Sequence, residues 1–385
     1  MRDAAMTTPM RQARIDLEAL AANARALAAR VAPARLLAVV KADAYGHGAV
    51  PVARALEATG VVACLGVVDL DEARELRRAG VRAPILAWIL PPGADLAWAI
   101  AEGIELGVGA IETLERVALA ARAVRSFAAE SGGEPPRAVV HLKADTGLGR
   151  GGATAADWSE LVALAARLES EGVVAVRGLW SHLANASTAS DAAQFEAFDT
   201  AVRLARRAGL APEVEHISAS QAMLSYPGRA YGMVRAGIAL YGLSPFADRP
   251  ASEFGLRPVM RLSGTVIAVK RVPAGHGVSY GHRHVTERET SLALVPLGYA
   301  DGLPRSARRG PVTINGTRHR VAGTIAMDQV VIDVGDDAVE VGDTAVFWGD
   351  PDRGEPSAQE WADAAGTIPY EIVTRVGPRV VRSPA

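Results

Sequence analysis

The sequence predicts an α/β protein, an N-terminal (β/α)8 barrel of TIM type followed by a mostly-β C-terminal domain. Three observations predict it. Eight short β-branched runs alternate with longer Ala/Leu/Arg stretches of helical period, over the roughly 250 residues that such a barrel needs. Near Phe254 the texture changes to apolar alternation broken by turn residues. Reactive side chains also gather where predicted strands end, and the C-terminal ends of barrel strands are where this architecture carries its chemistry. A doubly wound open sheet is the competing reading of the same alternation.

The strand runs fall at 36–40, 61–68, 84–90, 104–108, 138–142, 173–180, 214–217 and 233–240. Helical patterns occupy 16–32, 49–58, 69–79, 94–102, 111–129, 154–171 and 191–208. Asp16 and Asp191 stand where N-caps belong, and Gly60, Gly80, Gly172 and Gly209 stand where helices stop. Beyond Phe254, alternating runs at 261–271, 290–296, 311–314, 329–334 and 344–348 are separated by turns such as Asn315-Gly316, with one helix at 357–365. The expected organisation is a disordered extension over 1–10, the barrel over 11–255 and the β domain over 256–385.

A chain of 385 residues is long enough for two buried cores, and a net charge of −2 gives no reason to expect nucleic acid or an anionic membrane as partner. No apolar stretch approaches the ~20 residues of a membrane span. Residues 1–14 lack the apolar block of a secretory signal, so cytoplasm is the expected location. The single cysteine, Cys64, lies in an apolar run and reads as core. Of the 41 basic residues only Lys41, Lys143 and Lys270 are lysine. A guanidinium keeps its proton, whereas an amine can lose it and attack a carbonyl, so these three positions are where nucleophilic chemistry is sought.

Lys41 ends the first run and is followed by Ala42-Asp43-Ala44-Tyr45-Gly46-His47-Gly48. The apolar strand before it would desolvate the ammonium and favour the nucleophilic amine. Lys143 and Asp145 end the fifth run with Arg150 close behind; His182 ends the sixth, His216 and Ser220 flank the end of the seventh, and Arg235 lies in the eighth. Gly147, Gly149 and Gly152 make a lone G-x-G-x-x-G match, but Lys143-Ala144-Asp145 separates it from its strand and it lies mid-chain, which argues against a dinucleotide site. His276, His282 and His284 share a Gly-rich loop without a carboxylate or thiol at ligand spacing, so no metal site is expected there. Tyr280 in the same loop, flanked by Ser279 and Gly281, is suited to present a phenol to a cleft.

Taken in order, these segments resemble the alanine racemases. Ala38-Val39-Val40-Lys41-Ala42-Asp43-Ala44-Tyr45-Gly46-His47-Gly48 is similar to the family's pyridoxal phosphate (PLP) attachment motif. The likeness continues through Lys143-Ala144-Asp145-Thr146-Gly147-Leu148-Gly149-Arg150, Met233-Val234-Arg235-Ala236-Gly237-Ile238, Val278-Ser279-Tyr280-Gly281, Gly298-Tyr299-Ala300-Asp301-Gly302, Met327-Asp328-Gln329 and Pro369-Tyr370-Glu371. It spans about residues 15–382 and both domains.

The resemblance implies a PLP-dependent racemase that interconverts L- and D-alanine by two-base proton transfer, supplying D-alanine for peptidoglycan. Lys41 would carry PLP as an internal aldimine and act as one base. Tyr280, from the second subunit of a homodimer, would act on the opposite face, as racemisation requires. Arg235 would bond the pyridine nitrogen, with His182 linking it toward Tyr280. Tyr45, Ser220, Gly237, Ile238 and Tyr370 would contact the phosphate. Arg150 would bond the phenolic oxygen of PLP and approach the substrate carboxylate, Met327 would offer its backbone N–H to that carboxylate, and Tyr299 would line the entrance. Lys143 matches a lysine that many members carbamylate, and Lys270 is left as a surface charge. Ala219, Leu148 and Ala326 depart from residues common in the family, yet none removes a proposed acid, base or cofactor bond. A racemase of serine or of broad specificity is the alternative reading. A non-catalytic PLP carrier on the same barrel would usually lack the second domain.

Overall fold

The computed structural model describes residues 9–131 and 135–385. The expected extension over 1–10 falls, as far as residue 8, outside them; the Met10 carbonyl accepts from the Thr265 N–H at 3.1 Å. The chain forms two compact units, one made of Ala24–Ala44 and Ala49–Leu240, the other of the N-terminal segment to Asn23, Tyr45–Gly48 and Tyr241–Ala385.

The first unit is built on eight parallel strands. After the N-terminal β1 (Arg11–Ile15), which belongs to the other unit, come β2 (Arg35–Val39), β3 (Val62–Val67), β4 (Ile85–Ala87), β5 (Ile104–Val108), β6 (Ala138–Lys143), β7 (Val174–Trp180), β8 (Val214–His216) and β9 (Met233–Ala236). Their order in the sheet is β8-β7-β6-β5-β4-β3-β2-β9, sequential apart from the closing pair β2–β9. The seam between β8 and β9 is drawn together by Gly232 N–H to Glu215 O at 3.1 Å and Arg235 N–H to Ser218 O at 3.0 Å. A nearly closed ring with no reversal in strand order excludes the doubly wound alternative. The strands read as near-continuous apolar runs because both faces are covered, and Leu37, Leu65, Leu86, Leu106, Val140, Leu142 and Leu179 are completely buried. Each expected strand forms, within a few residues of its predicted limits, except that the eighth ends at Ala236 rather than 240. Gly60, Gly80, Gly172 and Gly209 stop helices in left-handed conformation, with φ of 69°, 82°, 70° and 95°.

Two caps divide. The Asp16 carboxylate accepts from the Ala19 N–H at 2.7 Å, as an N-cap should. Asp191 does not cap: the helix begins at Thr188 under the Ser187 hydroxyl, and Asp191, buried in its first turn, accepts from the Tyr226 hydroxyl at 3.1 Å.

The second unit carries a nine-stranded sheet. Its further strands are β10 (Met260–Thr265), β11 (Ala268–Val272), β12 (Gly277–Val278), β13 (His284–Val285), β14 (Thr290–Val295), β15 (Pro311–Ile314), β16 (Thr317–Val321), β17 (Val330–Gly335), β18 (Thr344–Trp348) and β19 (Val381–Pro384). The sheet runs β11-β14-β17-β16-β15-β18-β10-β1-β19, with β12 and β13 pairing separately. The run expected over 261–271 is two strands, because Val266 and Ile267 turn their N–H groups to Asp343 O and Leu294 O. Sequence periodicity missed β1, β12, β13, β16, β19 and a second helix, Pro369–Thr374. Strand β1 explains why the N-terminal segment groups with this unit: it pairs antiparallel with β10, from Arg11 opposite Gly264 to Ile15 opposite Met260. Tyr241–Gly255 groups here as well. The Tyr241 carbonyl accepts from Val259 N–H at 3.1 Å, and its ring lies 4.9 Å from that of Tyr45. Trp348, Trp361 and Phe347 fill this core, and Cys64 is buried in the other.

Candidate active site

In the barrel unit the strand ends bring Lys41, Lys143, His182 and Arg235 toward a pair of tryptophans. Trp88 and Trp180 lie with ring centroids 6.2 Å apart. The Lys41 Nζ stands 6.0 Å from the Trp88 ring, Lys143 Nζ 4.9 Å from Trp180 and the Arg235 guanidinium carbon 5.2 Å from Trp180. Each cation thus rests over an aromatic face, which stabilises charge without neutralising it.

Lys41 was expected to end the first strand. Instead β2 stops at Val39, Val40 N–H still reaches Gly66 O at 2.9 Å, and Lys41 opens a left-handed turn. Ala42, Asp43, Ala44 and Tyr45 have φ of 53°, 53°, 51° and 55°. For L-residues this conformation costs about 1–2 kcal/mol each, so the turn must be held from outside. Glu72 does so: its carboxylate accepts from Ala42 N–H and from Val68 N–H, both at 2.7 Å. Burial, then the neighbouring Arg150 guanidinium, push the Lys41 amine below the ordinary lysine range, with Glu72 opposing. A neutral amine is thereby made more available.

Lys143 is lowered to about 8 by burial and by Arg150 and Arg235, against Asp145. Arg235 is buried and lowered to about 9 by burial and Arg150, so it remains a cation at neutral pH. Its guanidinium donates to the carbonyls of His216 (2.8 Å), Ser181 (2.7 Å) and Ile217 (3.1 Å), and meets His182 Nδ1 at 3.0 Å and His216 Nδ1 at 2.9 Å. Arginine can only donate, so both imidazoles face it with a lone pair. His182 is pushed down to about 3 by burial and by Arg235, and is neutral.

Beyond β9, Gly237 N–H donates to the Ser220 hydroxyl at 2.9 Å, and Ile238 opens the 3-10 turn Ile238–Tyr241. Ser220 sits at the first position of the helix Ser220–Ser225 after Ala219. In the other unit Tyr45 and Tyr370 lie with ring centroids 6.2 Å apart. Burial raises the Tyr45 phenol far above its usual range and Tyr370 to about 12, so both keep their protons and can donate. Also in this unit, Tyr280 is 70 % exposed, in a tight turn opened by Ser279 at φ 59°. Its carbonyl accepts from the Thr324 hydroxyl at 3.0 Å, and the Ser279 hydroxyl donates to Thr324 O at 2.6 Å. Tyr299 N–H bonds Ala326 O and Ala300 N–H bonds Met327 O, each at 3.0 Å, which ties Tyr299 beside Met327. Both side chains are exposed.

The glycine match is a fold-back, not a nucleotide loop. Asp145 accepts from Gly147 and Gly149 N–H, Ala144 bridges to Ala153, and the next helix starts only at Trp158. A methyl on Gly152 would lie 2.8 Å from the Ala144 carbonyl carbon. Of the loop histidines, His284 meets Asp333 at 3.3 Å. Lys270 is exposed on β11. Asp301, completely buried, accepts from Gly298 N–H at 2.9 Å, and pairs with Arg379 and Arg11 at 2.9 and 3.3 Å.

Sequence reading missed Trp88, Trp180, Glu72, His141 and Glu105. The last two had a signal, a lone polar residue inside an apolar strand: Ala-Val-Val-His-Leu-Lys in β6 and Ile-Glu-Leu-Gly-Val in β5.

The donor set of the barrel unit suits PLP: a desolvated amine for the aldehyde, several cations for anionic groups, and a hydroxyl beside backbone N–H groups for a phosphate. Residues 15–245 match the family profile "Alanine racemase, N-terminal domain" and residues 259–384 match "Alanine racemase, C-terminal domain". The chain is 51% identical to an alanine racemase of Thermobifida fusca over 375 residues, covering 96% of this chain and 97% of that one. It is 51% identical to one of Streptomyces coelicolor over 382 residues, covering 96% and 95%. The crystal structure of alanine racemase from D-cycloserine producing Streptomyces lavendulae superposes with a TM-score of 0.93 at 48% identity, covering 98% of each chain. The biosynthetic alanine racemase of Pseudomonas aeruginosa does so with 0.84 at 33%, covering 98% of this chain and 100% of that one.

Proposed function

The chain belongs to the alanine racemase family of isomerases, and from that premise we propose that it interconverts L- and D-alanine with PLP held at Lys41. The observation that carries this reading is the lowered amine of Lys41 among the cations Arg150, Lys143 and Arg235. A nucleophilic amine surrounded by positive charge suits an aldehyde cofactor bearing phosphate and a carboxylate substrate. PLP, when bound, draws electron density from the substrate and so acidifies its Cα–H.

The protein's own groups do the rest. Lys41 takes or returns the proton at Nζ on one face, and Tyr280 of the partner subunit does so at its phenolic oxygen on the other. The exposure of Tyr280, Tyr299 and Met327 supports a homodimer in which these side chains are covered by, and serve, the second copy. Arg235 would hold a positive charge toward the pyridine nitrogen without readily giving up a proton, which would restrain delocalisation into the ring and disfavour amino-group transfer. His182 orients Arg235 from the open side. Ser220, Gly237 and Ile238 would hold the phosphate, a role that the family resemblance also implies for Tyr45 and Tyr370. Arg150 would bind the phenolic oxygen and the substrate carboxylate, to which Met327 would add its N–H, and Tyr299 would line the entrance. Lys143, deprotonating near pH 8, is suited to carbamylation, which would convert a repelling cation into an anion that orients Arg150.

The test is chiral analysis of L-alanine and L-serine incubated with the purified, PLP-loaded protein. D-alanine forming much faster than D-serine is expected. Comparable rates would make the enzyme a broad-specificity racemase, and no product from a visibly PLP-loaded protein would overturn the substrate assignment.

A further inference from the structure

Five consecutive barrel strands, β5 to β9, each contribute one polar side chain to a single file of hydrogen bonds. Arg235 Nη1 meets His216 Nδ1 at 2.9 Å; His216 Nε2 meets His141 Nδ1 at 2.9 Å; His141 Nε2 meets Glu105 Oε2 at 2.7 Å. The other Glu105 oxygen accepts from Arg177. Glu105, His141, His216 and Arg235 are all at least 96 % buried. Among the described residues Arg235 forms no ion pair of its own.

The two ends of the file fix the direction of every bond in it. Arg235 has only N–H groups to offer, so His216 must present the lone pair of Nδ1 and carry its proton on Nε2. That proton points at His141 Nδ1, which must accept, leaving the His141 proton on Nε2 and aimed at the Glu105 carboxylate. Arg177, also a pure donor, holds the far oxygen. No link is frustrated, and no other pair of neutral tautomers satisfies both ends. Burial and Arg235 push the His216 imidazole well below its usual range, in keeping with a neutral ring.

We propose that Glu105 is a positioning residue for Arg235, acting through His141 and His216 as a tautomer-locked relay that anchors the guanidinium at the ring-nitrogen position. The inference rests on the reading that Arg235 faces that nitrogen. A bare Glu105–Arg177 ion pair would need neither imidazole, and a barrel interior filled with apolar side chains would leave nothing to satisfy. The file places a negative charge two imidazoles from a buried cation. It steadies the guanidinium while leaving its open side toward His182 uncommitted to any carboxylate. If the relay is cut, an unlocked His216 can rotate or switch tautomer and turn an N–H against Arg235.

Three measurements test this. In the holoenzyme labelled with 15N-histidine, imidazole correlation spectra are expected to show His141 and His216 each protonated on Nε2 alone. A proton on Nδ1 of either ring overturns the relay, whatever Arg235 faces. His141→Gln assigns the signals and Glu105→Gln removes the charge. In Glu105→Gln, kcat is expected to fall about tenfold with KM within twofold. The amount of pyruvate formed per D-alanine, by transfer of alanine's amino group to the cofactor, is expected to rise severalfold. A Glu105→Gln enzyme with wild-type kcat and wild-type pyruvate ratio refutes the positioning role. A loss confined to folding or cofactor retention, with that ratio unchanged, refutes it equally. Arg235→Lys separates the premise from the proposal: if its pyruvate ratio stays at the wild-type value, the placement of Arg235 fails, while the wild-type tautomers still judge the relay.

Discussion

Replacing Glu72 by alanine should release the turn that carries Lys41. Four successive non-glycine residues in left-handed conformation cost about 4–8 kcal/mol at ~1–2 kcal/mol each. Against this stands the Glu72 carboxylate, which accepts from Ala42 N–H and from Val68 N–H, both at 2.7 Å. Hydrogen bonds to a charged group contribute about 1.5–3 kcal/mol apiece, so the Ala42 bond offsets that much of the strain while the Val68 bond holds the carboxylate in place. The Asp43 carboxylate, accepting from Ala49 N–H at 2.7 Å, helps from the other end but does not touch Ala42. In Glu72→Ala the turn should relax locally while the barrel stays folded, and Lys41 should leave its place above Trp88. The assay is the fraction of protein that borohydride traps as a covalent PLP adduct, alongside kcat and a thermal melt. The trapped fraction at limiting PLP should fall at least tenfold. Glu72→Gln, which keeps one acceptor oxygen, should lie between. Wild-type trapping and turnover in Glu72→Ala would refute the reasoning, because the turn would then be shown to need no external support.

Other consequences follow from the same geometry. A methyl at Gly178 would lie 2.1 Å from His141 Nδ1, so Gly178→Ala must displace a buried ring. Overpacking plus the lost His141–His216 bond should destabilise by about 2–4 kcal/mol, and an unchanged melting temperature would show that the ring moves freely. Lys143 titrates near 8 in the folded protein against an ordinary 10.5, so below about pH 8 both states carry the charge and the folded one bears its full repulsion. Between about pH 8 and 10.5 the unfolded chain binds more protons, and stability should rise with pH. In CO2-free buffer Lys143→Met should lose that rise; a curve parallel to wild type would contradict the assignment. Lys41→Ala should lose the borohydride-trappable adduct, and Tyr280→Phe should keep PLP but lose proton removal from L-alanine. Mixing the two inactive variants should restore activity, and confirmed heterodimers without recovery would count against a shared site.

The barrel was legible because parallel strands covered on both faces write themselves as apolar runs, as in Leu36 to Val40 or Ile104 to Val108. The glycines after the helices were legible because a left-handed stop leaves few other choices. The turn after Lys41 was not, since Ala42, Asp43, Ala44 and Tyr45 are residues that rarely adopt positive φ. The Glu72 carboxylate, thirty residues on, and the Asp43 carboxylate at the far end of the turn help to hold it. Strands β1 and β19 were missed because their pairing is with distant segments: β1 meets β10 and β19 far along the chain, and its five residues alternate too briefly to stand out. The reactive residues named from sequence were legible only as an ordered set. Arg235, Lys143 and His182 each admit a bland reading until barrel closure gathers them around Trp180.

That gathering has a thermodynamic consequence. Lys143 and Arg235 both rest against Trp180, and Asp145 opposes the lowering of Lys143, while Arg150 depresses Lys41, Lys143 and Arg235 together. A site with this surplus of positive charge is stabilised by an anion that binds only the folded state. PLP at a hundredfold excess over its dissociation constant should therefore raise stability by about 2.7 kcal/mol. The electrostatic part of that gain should shrink as salt screens the more exposed Arg150. The measurement is the melting temperature of apo and PLP-loaded protein at low and high ionic strength, with Lys41→Ala included to remove the covalent contribution. A non-covalent shift that persists in Lys41→Ala and declines with salt is the expected result. If Lys41→Ala shows no shift at any PLP concentration, the cations do not form the anion site argued from their positions.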